Sequence, residues 1–175
     1  MKNGIIICGL NGSGKSTLGK ELAKLLNYKF IDVEDYYFIK NNSNYKYDYS
    51  RSKSEVIALL LQDINKNKNF VMTSVIGNYG DEIISKYTCA IMINIPIEIS
   101  LKRVKKRSYE QFGSRILLGG DLYDKEKHFF DMVALKSNKD IEKWVSTLDC
   151  PIIKVDGTRT IAHNLEFIIN QLSRI

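Results

Sequence analysis

The sequence contains few of the residues that cross-link a chain or bind a transition metal. It has three cysteines and two histidines in 175 residues, and they do not cluster at metal-ligand spacing. Cys8, Cys89 and Cys150 lie in or beside apolar runs, and an odd number of cysteines cannot all pair within one chain. We therefore expect buried free thiols and no zinc site.

Long apolar runs are also missing. No run approaches the roughly 20 residues that a membrane-spanning helix needs. The apolar stretch in the first ten residues, MKNGIIICGL, is too short for a signal peptide. We therefore expect a cytoplasmic protein that does not enter a membrane. The chain length and the ordinary hydrophobic fraction of 44% predict one globular domain over residues 1–175.

Arginine is scarce, although the chain is basic. The formal net charge is +6, and six of the 26 basic residues are arginines. The lysines are scattered, so we do not expect nucleic-acid binding from net charge alone. An arginine side chain suits a planar, bidentate contact with a phosphate or carboxylate. The candidates for such contacts are Arg51, Arg103, Arg107, Arg115, Arg159 and Arg174.

Short apolar runs alternate with helical patterns along the chain. Runs typical of strands cover residues 4–8, 28–33, 70–75, 89–95 and 151–155. Helices are predicted near residues 15–26, 52–66, 97–104, 141–148 and 161–172. This alternation predicts an α/β fold with a parallel sheet covered by helices on both faces.

A glycine-rich turn lies between the first predicted strand and the first helix. Residues 9–16, GLNGSGKS, match the phosphate-binding P-loop pattern G-x-x-x-x-G-K-[ST]. Glycines let successive backbone N–H groups face an anion, and the N-terminus of the following helix adds its positive dipole. In this pattern Lys15 reaches the β- and γ-phosphates, and the Ser16 hydroxyl ligates Mg²⁺. The turn therefore predicts nucleotide binding.

Several other nucleotide-binding motifs are absent from the sequence. The dinucleotide pattern G-x-G-x-x-G fails because Thr17 stands where its third glycine belongs. The third predicted strand, FVMTSV, has no acidic residue at the Walker-B position, and the guanine-binding motif N-K-x-D does not occur. These absences count against dinucleotide enzymes, switch GTPases and motor ATPases.

An acidic cluster follows the second predicted strand. The segment FIDVEDYYF contains Asp32, Glu34 and Asp35. Phosphoryl transfer to a hydroxyl needs one carboxylate near the acceptor proton and another that supports Mg²⁺. Open α/β sheets bind ligands at the carboxyl ends of their strands, where this cluster is expected. The alternative is a solvated loop that caps a helix.

Three segments, together with the P-loop, resemble the small P-loop kinases, which include the adenylate, shikimate, gluconate and uridine kinases. DVEDYYF resembles the D-D-[FY]-Y segment of uridine-kinase-like enzymes and the D-x-D of shikimate kinases. INIPIEISLKRVKKR resembles the strand, proline and arginine-bearing helix before the lid of this superfamily. VDGTRTI resembles its adenine-binding loop. The resemblance implies a three-layer sandwich with a five-stranded parallel sheet of order 2-3-1-4-5, and Mg²⁺ and ATP as cofactors.

The resemblance also implies roles for individual residues. ATP would be bound by Asn11, Gly12, Ser13, Gly14, Lys15, Ser16, Thr17, Arg103, Thr158 and Arg159. The expected catalytic residues are Lys15, Asp32, Asp35, Arg107 and Arg115, and Ser16 with Asp32 would hold Mg²⁺. The acceptor would be bound by Glu34, Asp35, Arg51, Gly77 and Tyr79.

Two segments are expected to cover the site. Residues 36–51 are polar and tyrosine-rich and would form a loop on the acceptor side. Residues 107–121 include three glycines and would form a mobile lid, which excludes water when it closes. From residue 108 onward the helical pattern is broken, and Asp121 is expected to cap the helix that follows.

The sequence therefore predicts an ATP- and Mg²⁺-dependent kinase that acts on a small molecule. A nucleoside or nucleotide is the first candidate acceptor because of the EDYY segment, and a shikimate- or gluconate-type metabolite is the second. A nucleotide-dependent ATPase or switch without an acceptor is the rival class. Either a monomer or a homodimer is compatible with the sequence.

Overall fold

In the computed structural model of the protein, residues 3–39, 45 and 47–174 are described. All neighbouring strands pair in parallel, in the spatial order β2-β3-β1-β4-β5. The five strands are β1 (Asn3–Gly9), β2 (Lys29–Asp32), β3 (Asn69–Ser74), β4 (Tyr87–Asn94) and β5 (Ile152–Asp156). The predicted fold class and strand order are confirmed.

Eight α-helices and one 3₁₀ turn connect the strands in the described part of the chain. The helices are α1 (Lys15–Leu26), α2 (Val33–Tyr37), α3 (Lys53–Lys66), α4 (Asp81–Ile84), α5 (Ile97–Phe112), α6 (Tyr123–Ala134), α7 (Asn138–Val145) and α8 (Ile161–Leu172). The 3₁₀ turn is Gly113–Ile116. None of these helices is long and apolar enough to cross a bilayer.

The central strand β1 is buried on both faces, which explains its unbroken apolar sequence. Its odd-numbered residues Ile5 and Ile7 pack in one core cluster with α1 and α8. Ile6 and Cys8 point to the opposite face and pack with α3 and α7. Alternate side chains of a strand face opposite sides of the sheet, so a buried central strand needs apolar residues at every position. The result is the expected three-layer sandwich.

The acidic segment begins a short helix that is not among the predicted helices, and it caps that helix, as the alternative interpretation of the segment expected. Strand β2 ends at Asp32, and the Asp32 side chain accepts a hydrogen bond from the backbone N–H of Glu34, with an N···O distance of 3.2 Å. Asp32 is therefore the N-cap of α2, and an N-cap ends the extended backbone that precedes it. Capping holds the carboxyl group of Asp32 at the end of the sheet.

Two expectations for the lid were wrong in detail. Helix α5 continues past residue 108 to Phe112, so the glycines break the helix only from Gly113. Asp121 does not cap α6, whose N-cap is Leu122 without a side-chain bond. The Asp121 carboxylate instead accepts hydrogen bonds from Arg115 Nε and Nη2, at 2.9 and 2.6 Å. A nearby arginine offers the carboxylate a stronger, bidentate partner than a backbone N–H.

The predicted acceptor-side loop, residues 36–51, is only partly described, since residues 40–44 and 46 lie outside the described ranges. Its ends are joined by an isolated antiparallel bridge between Phe38 and Ser50. The three cysteines are free, as expected; Cys8 and Cys89 are buried, and Cys150 is half-buried. No cluster of metal-ligating side chains occurs among the described residues.

Candidate nucleotide-binding and phosphotransfer site

The P-loop connects β1 to α1 through two glycines with positive φ. Gly12 has φ 78° and Gly14 has φ 90°, and Gly14 is also the N-cap of α1. A Cβ at residue 12 would lie 2.6 Å from the carbonyl oxygen of Ser100. Both the backbone conformation and the space therefore require glycine at this position.

Helix α5 supports the P-loop from outside. The Ser100 hydroxyl donates a hydrogen bond to the backbone oxygen of Asn11. Gly12 also packs against Val104 of the same helix. Both contacts lie in the first half of α5, and the second half of the helix leads into the predicted lid.

A cavity of about 400 Å³, here called the phosphate cleft, opens at the carboxyl ends of β1, β2 and β3. Eight of the predicted site residues line it: Asn11, Gly12, Lys15, Ser16, Asp32, Glu34, Tyr79 and Arg107. They come from the P-loop, the start of α2, the turn after β3 and α5. The fold therefore brings one lysine, one arginine and two carboxylates to one cavity.

Lys15 is a cation of the phosphate cleft whose pKa is lowered by the protein. Its Nζ donates to the backbone oxygen of Leu10 at 3.2 Å. Burial lowers the pKa of Lys15 from 10.5 to about 8, while the Glu34 and Asp32 carboxylates oppose that shift. An anion bound in the cleft would favour the charged form of Lys15.

The residues of the cleft also fit a magnesium ion. Ser16 and Asp32 line the same cavity, one at the start of α1 and the other at the end of β2. Mg²⁺ is usually held by one or two protein oxygens together with substrate phosphates and water. The donor set therefore fits Mg²⁺ delivered with a nucleotide.

A smaller cavity of about 200 Å³ lies on the outer side of the P-loop. It is lined by Gly12, Gly14, Lys15, Ser16, Thr17, Arg103 and Arg107. The Arg103 guanidinium donates to the backbone oxygen of Gly157 at 2.9 Å. Arg103 therefore ties α5 to the turn after β5, beside the P-loop, where the adenine-binding loop was predicted.

The remaining predicted site residues do not line the phosphate cleft. Asp35 lies on the exposed side of α2, and Arg51 donates to the backbone oxygen of Tyr36 at 2.8 Å. Gly77 is packed between Ile6 and Trp144, and Ser13 is buried inside the P-loop. Arg115 pairs with Asp121, as described above.

Thr158 and Arg159 lie in the turn after β5. Both contact the Asp156 side chain, through a 2.6 Å hydrogen bond and a 3.7 Å ion pair. These contacts are local to the turn, on the far side of the P-loop from the acidic cluster. The role at the adenine that the resemblance implies for both residues stays a prediction.

Two residues of the site were missed by sequence analysis. Lys136, just after α6, donates from Nζ to the Asn11 side-chain oxygen at 2.8 Å. Burial lowers the pKa of Lys136, and Glu34 opposes that shift. Thr73 also lines the cleft, and its buried hydroxyl has no hydrogen-bond partner among the described residues. Neither residue belongs to a motif, so only the folded chain reveals them.

Comparison with known proteins identifies the family of the chain. The profile of the AAA-domain family matches residues 5–130. An uncharacterized protein of Bacillus subtilis, YqaC, is 28% identical over 99% of both chains. A shikimate kinase of Clostridium botulinum is 32% identical over 61% of this chain and 67% of its own length.

A solved structure of a deoxyadenosine kinase from M. mycoides with bound dATP shares the fold. It superposes with a TM-score of 0.58, covering 99% of this chain and all of that chain, at 19% identity. The family match spans the P-loop, the acidic cluster and the predicted lid. The chain therefore belongs to the AAA-domain family, within the superfamily of small P-loop kinases.

Proposed function

We propose that the protein transfers the γ-phosphoryl group of ATP to a hydroxyl group of a small molecule in the cytoplasm. The observation that carries this proposal is the convergence of Lys15, Arg107 and Glu34 on one cavity beside the P-loop. Two cations would stabilise the transferring phosphoryl group, and a carboxylate would lie next to the acceptor.

The P-loop residues bind the nucleotide. Backbone N–H groups between Asn11 and Thr17 surround the β-phosphate, while Lys15 bridges the β- and γ-phosphates. Arg107 approaches from α5 and offsets the charge on the γ-phosphate oxygens. Mg²⁺, held by Ser16 and Asp32, supplies further charge neutralisation when it is bound.

The two carboxylates of the cleft, Asp32 and Glu34, have different roles. Glu34 lines both the phosphate cleft and a neighbouring cavity, whereas Asp32 lines the phosphate cleft only. We therefore assign Asp32 to Mg²⁺ and Glu34 to the acceptor hydroxyl. Asp35, which was also predicted to be catalytic, lines neither cavity.

The transfer is a single in-line displacement. The acceptor hydroxyl oxygen forms a bond to the γ-phosphorus, and the bond from that phosphorus to the β,γ-bridging oxygen breaks. ADP leaves with the bonding electron pair, and the hydroxyl proton passes to Glu34. The products are ADP and the phosphorylated acceptor.

A nucleoside or nucleotide is the first candidate acceptor. Deoxyadenosine kinase shares the fold, and the EDYY segment is of the uridine-kinase type. A hydroxylated metabolite is the second candidate, because a shikimate kinase is related over 61% of this chain. In both cases the chemical step is the same, and only the acceptor-binding residues differ.

An assay of ADP release tests the proposal. The purified protein with MgATP is given nucleosides, nucleoside monophosphates, shikimate or gluconate one at a time. ADP release that requires one acceptor, with a matching phosphorylated product in the mass spectrum, supports the kinase. Turnover that is the same with every acceptor and with none indicates an ATPase and contradicts the proposal.

A further inference from the structure

A second cavity of about 410 Å³, here called the aromatic pocket, lies next to the phosphate cleft. The two cavities share Glu34, Phe38, Phe129 and Met132 in their walls. A molecule in the aromatic pocket would therefore reach the γ-phosphate end of the cleft past Glu34. One side of this cavity belongs to the predicted acceptor-side loop, residues 36–51, and the other side belongs to α6.

Four of its nine lining residues are phenylalanine or tyrosine. Phe38 and Tyr47 meet edge to face, with ring centroids 4.8 Å apart, and Tyr45 meets Tyr47 in the same way at 5.3 Å. The ring of Phe129 lies nearly parallel to that of Tyr47, with an interplanar angle of 28° and a centroid distance of 6.3 Å. Such a wall offers ring faces and edges to a flat ligand.

Contacts between the acceptor-side loop and α6 hold this wall in place. The buried Tyr45 hydroxyl donates to Glu126 Oε1 at 2.6 Å. Tyr45 also packs on Phe112 at the end of α5, with ring centroids 5.3 Å apart. The pocket is therefore formed before a ligand arrives, which reduces the entropic cost of binding.

The charges of the pocket do not suit an anionic ligand. Among the described lining residues the one lysine, Lys125, already forms an ion pair with Asp48, and Glu34 adds a negative charge at the junction with the cleft. All six arginines lie within the described ranges, and none lines this pocket. A carboxylate or phosphate there would face acidic groups without a bidentate cationic partner.

We propose that the aromatic pocket binds the phosphoryl acceptor through an uncharged, planar ring. The occupant is a nucleoside without a phosphate of its own, whose base stacks on the aromatic wall while its hydroxyl reaches Glu34. This inference rests on the proposed kinase activity, because it names the acceptor of that reaction. It disfavours nucleoside monophosphates, shikimate and gluconate.

Calorimetry on the full chain tests the proposal. The protein is first saturated with Mg²⁺ and the non-hydrolysable ATP analogue adenylyl imidodiphosphate. It is then titrated with adenosine, guanosine, cytidine, uridine, thymidine, their 5′-monophosphates, shikimate and gluconate. We expect at least one nucleoside to bind about tenfold or more tightly than its own monophosphate and both acids. Tighter binding of a monophosphate or an acid, or no nucleoside binding, overturns the proposal.

Two matched substitutions on α6 locate the binding site. Phe129→Leu removes a ring of the pocket wall, and Phe130→Leu removes the neighbouring ring, which does not line the pocket. Loss of one base-stacking ring should weaken nucleoside binding about tenfold in Phe129→Leu and leave it within about twofold in Phe130→Leu. Tyr47→Leu repeats the test from the loop side if Phe129→Leu does not fold. Equal effects of Phe129→Leu and Phe130→Leu contradict the assignment.

Measuring nucleoside binding and phosphoryl transfer separately distinguishes a failure of this inference from a failure of the kinase proposal. A protein that binds a nucleoside but transfers no phosphoryl group retains the pocket and disproves the kinase. A protein that phosphorylates only shikimate, gluconate or a monophosphate retains the kinase and disproves the pocket assignment.

Discussion

The phosphate cleft and the aromatic pocket share four wall residues but are built in different ways. The core of the cleft is one continuous segment, residues 9–17, whose glycines and helix start follow each other in the sequence. The pocket joins a loop near residues 38–48 to one face of α6, about 80 residues away along the chain, as in the Tyr45 to Glu126 hydrogen bond.

Because of this difference, substitutions can change the aromatic pocket more easily than the phosphate cleft. The geometry of the cleft depends on backbone conformation, as at Gly12, where a Cβ would collide with Ser100. The pocket depends on side chains that project from a loop and a helix surface, and loops of this kind accept change more readily. A phosphate site built from backbone, beside an acceptor site built from side chains, allows one fold to serve several acceptors.

The largest expected effect comes from the centre of the cleft. Lys15→Ala should lower kcat/KM about a thousandfold, because the charge that stabilises the transferring phosphoryl group is lost. The assay is ADP release with the best acceptor. Lys24→Ala, on the exposed last turn of the same helix, is the control and should stay within about twofold. Activity of Lys15→Ala near that of the control would contradict the role of Lys15.

The junction between the two cavities should show the next largest effect. Glu34→Gln should lower kcat about a hundredfold, since the amide cannot accept the acceptor proton. Asp35→Asn changes the adjacent carboxylate, which lines neither cavity, and should retain activity within about twofold. A larger loss in Asp35→Asn than in Glu34→Gln would restore the role predicted for Asp35 from sequence.

Lys136 contacts the cleft residue Asn11 and belongs to no sequence motif. Lys136→Met should weaken MgATP binding about tenfold, because it removes a cation and a charge-assisted bond to Asn11. Lys139→Met, an exposed lysine at the start of α7, is the matched control. Unchanged ATP affinity in Lys136→Met, measured by calorimetry, would confine Lys136 to a structural role.

The pH dependence of ATP affinity should be the smallest effect, and it should arise from Lys15 in the phosphate cleft. The pKa of Lys15 in the ligand-free protein is about 8, so Lys15 is charged below that pH and loses its proton above it. ATP affinity should therefore fall above pH 8, by at most about tenfold per pH unit for one linked proton. Lys15→Arg keeps the charge and should remove the bend near pH 8. A bend that persists in Lys15→Arg would assign the titration to another group.

The lowered pKa of Lys15 also makes the free energy of unfolding depend on pH. The unfolded chain holds the Lys15 proton up to about pH 10.5, whereas the folded chain releases it near pH 8. The unfolded state thus binds more protons in this window, and the contribution of Lys15 to stability increases as the pH rises through it. Below pH 8 the buried charge opposes folding.

The sheet and the P-loop could be predicted from sequence because they depend on local patterns. The run GIIIC indicates a strand buried on both faces, and GLNGSGKS contains all the residues that its turn requires. Strand order 2-3-1-4-5 followed from the family resemblance and is confirmed.

Contacts between distant segments could not be predicted in the same way. Asn11 meets Lys136 across 125 residues, and no periodicity or spacing marks that pair. Arg115 and Asp121 are six residues apart, yet which of several partners Asp121 selects depends on how the turn at Gly113–Ile116 folds. The expected N-cap was wrong because local propensity competes with such tertiary contacts.

Calorimetric titration of the wild-type protein with MgATP and with AMP tests the central claim most directly. If the backbone amides of residues 9–17 and the Lys15 side chain bind the β- and γ-phosphates, MgATP should bind about a hundredfold or more tightly than AMP, which lacks both groups. Equal affinities, or no binding of MgATP, would contradict the phosphate cleft and with it the proposed kinase.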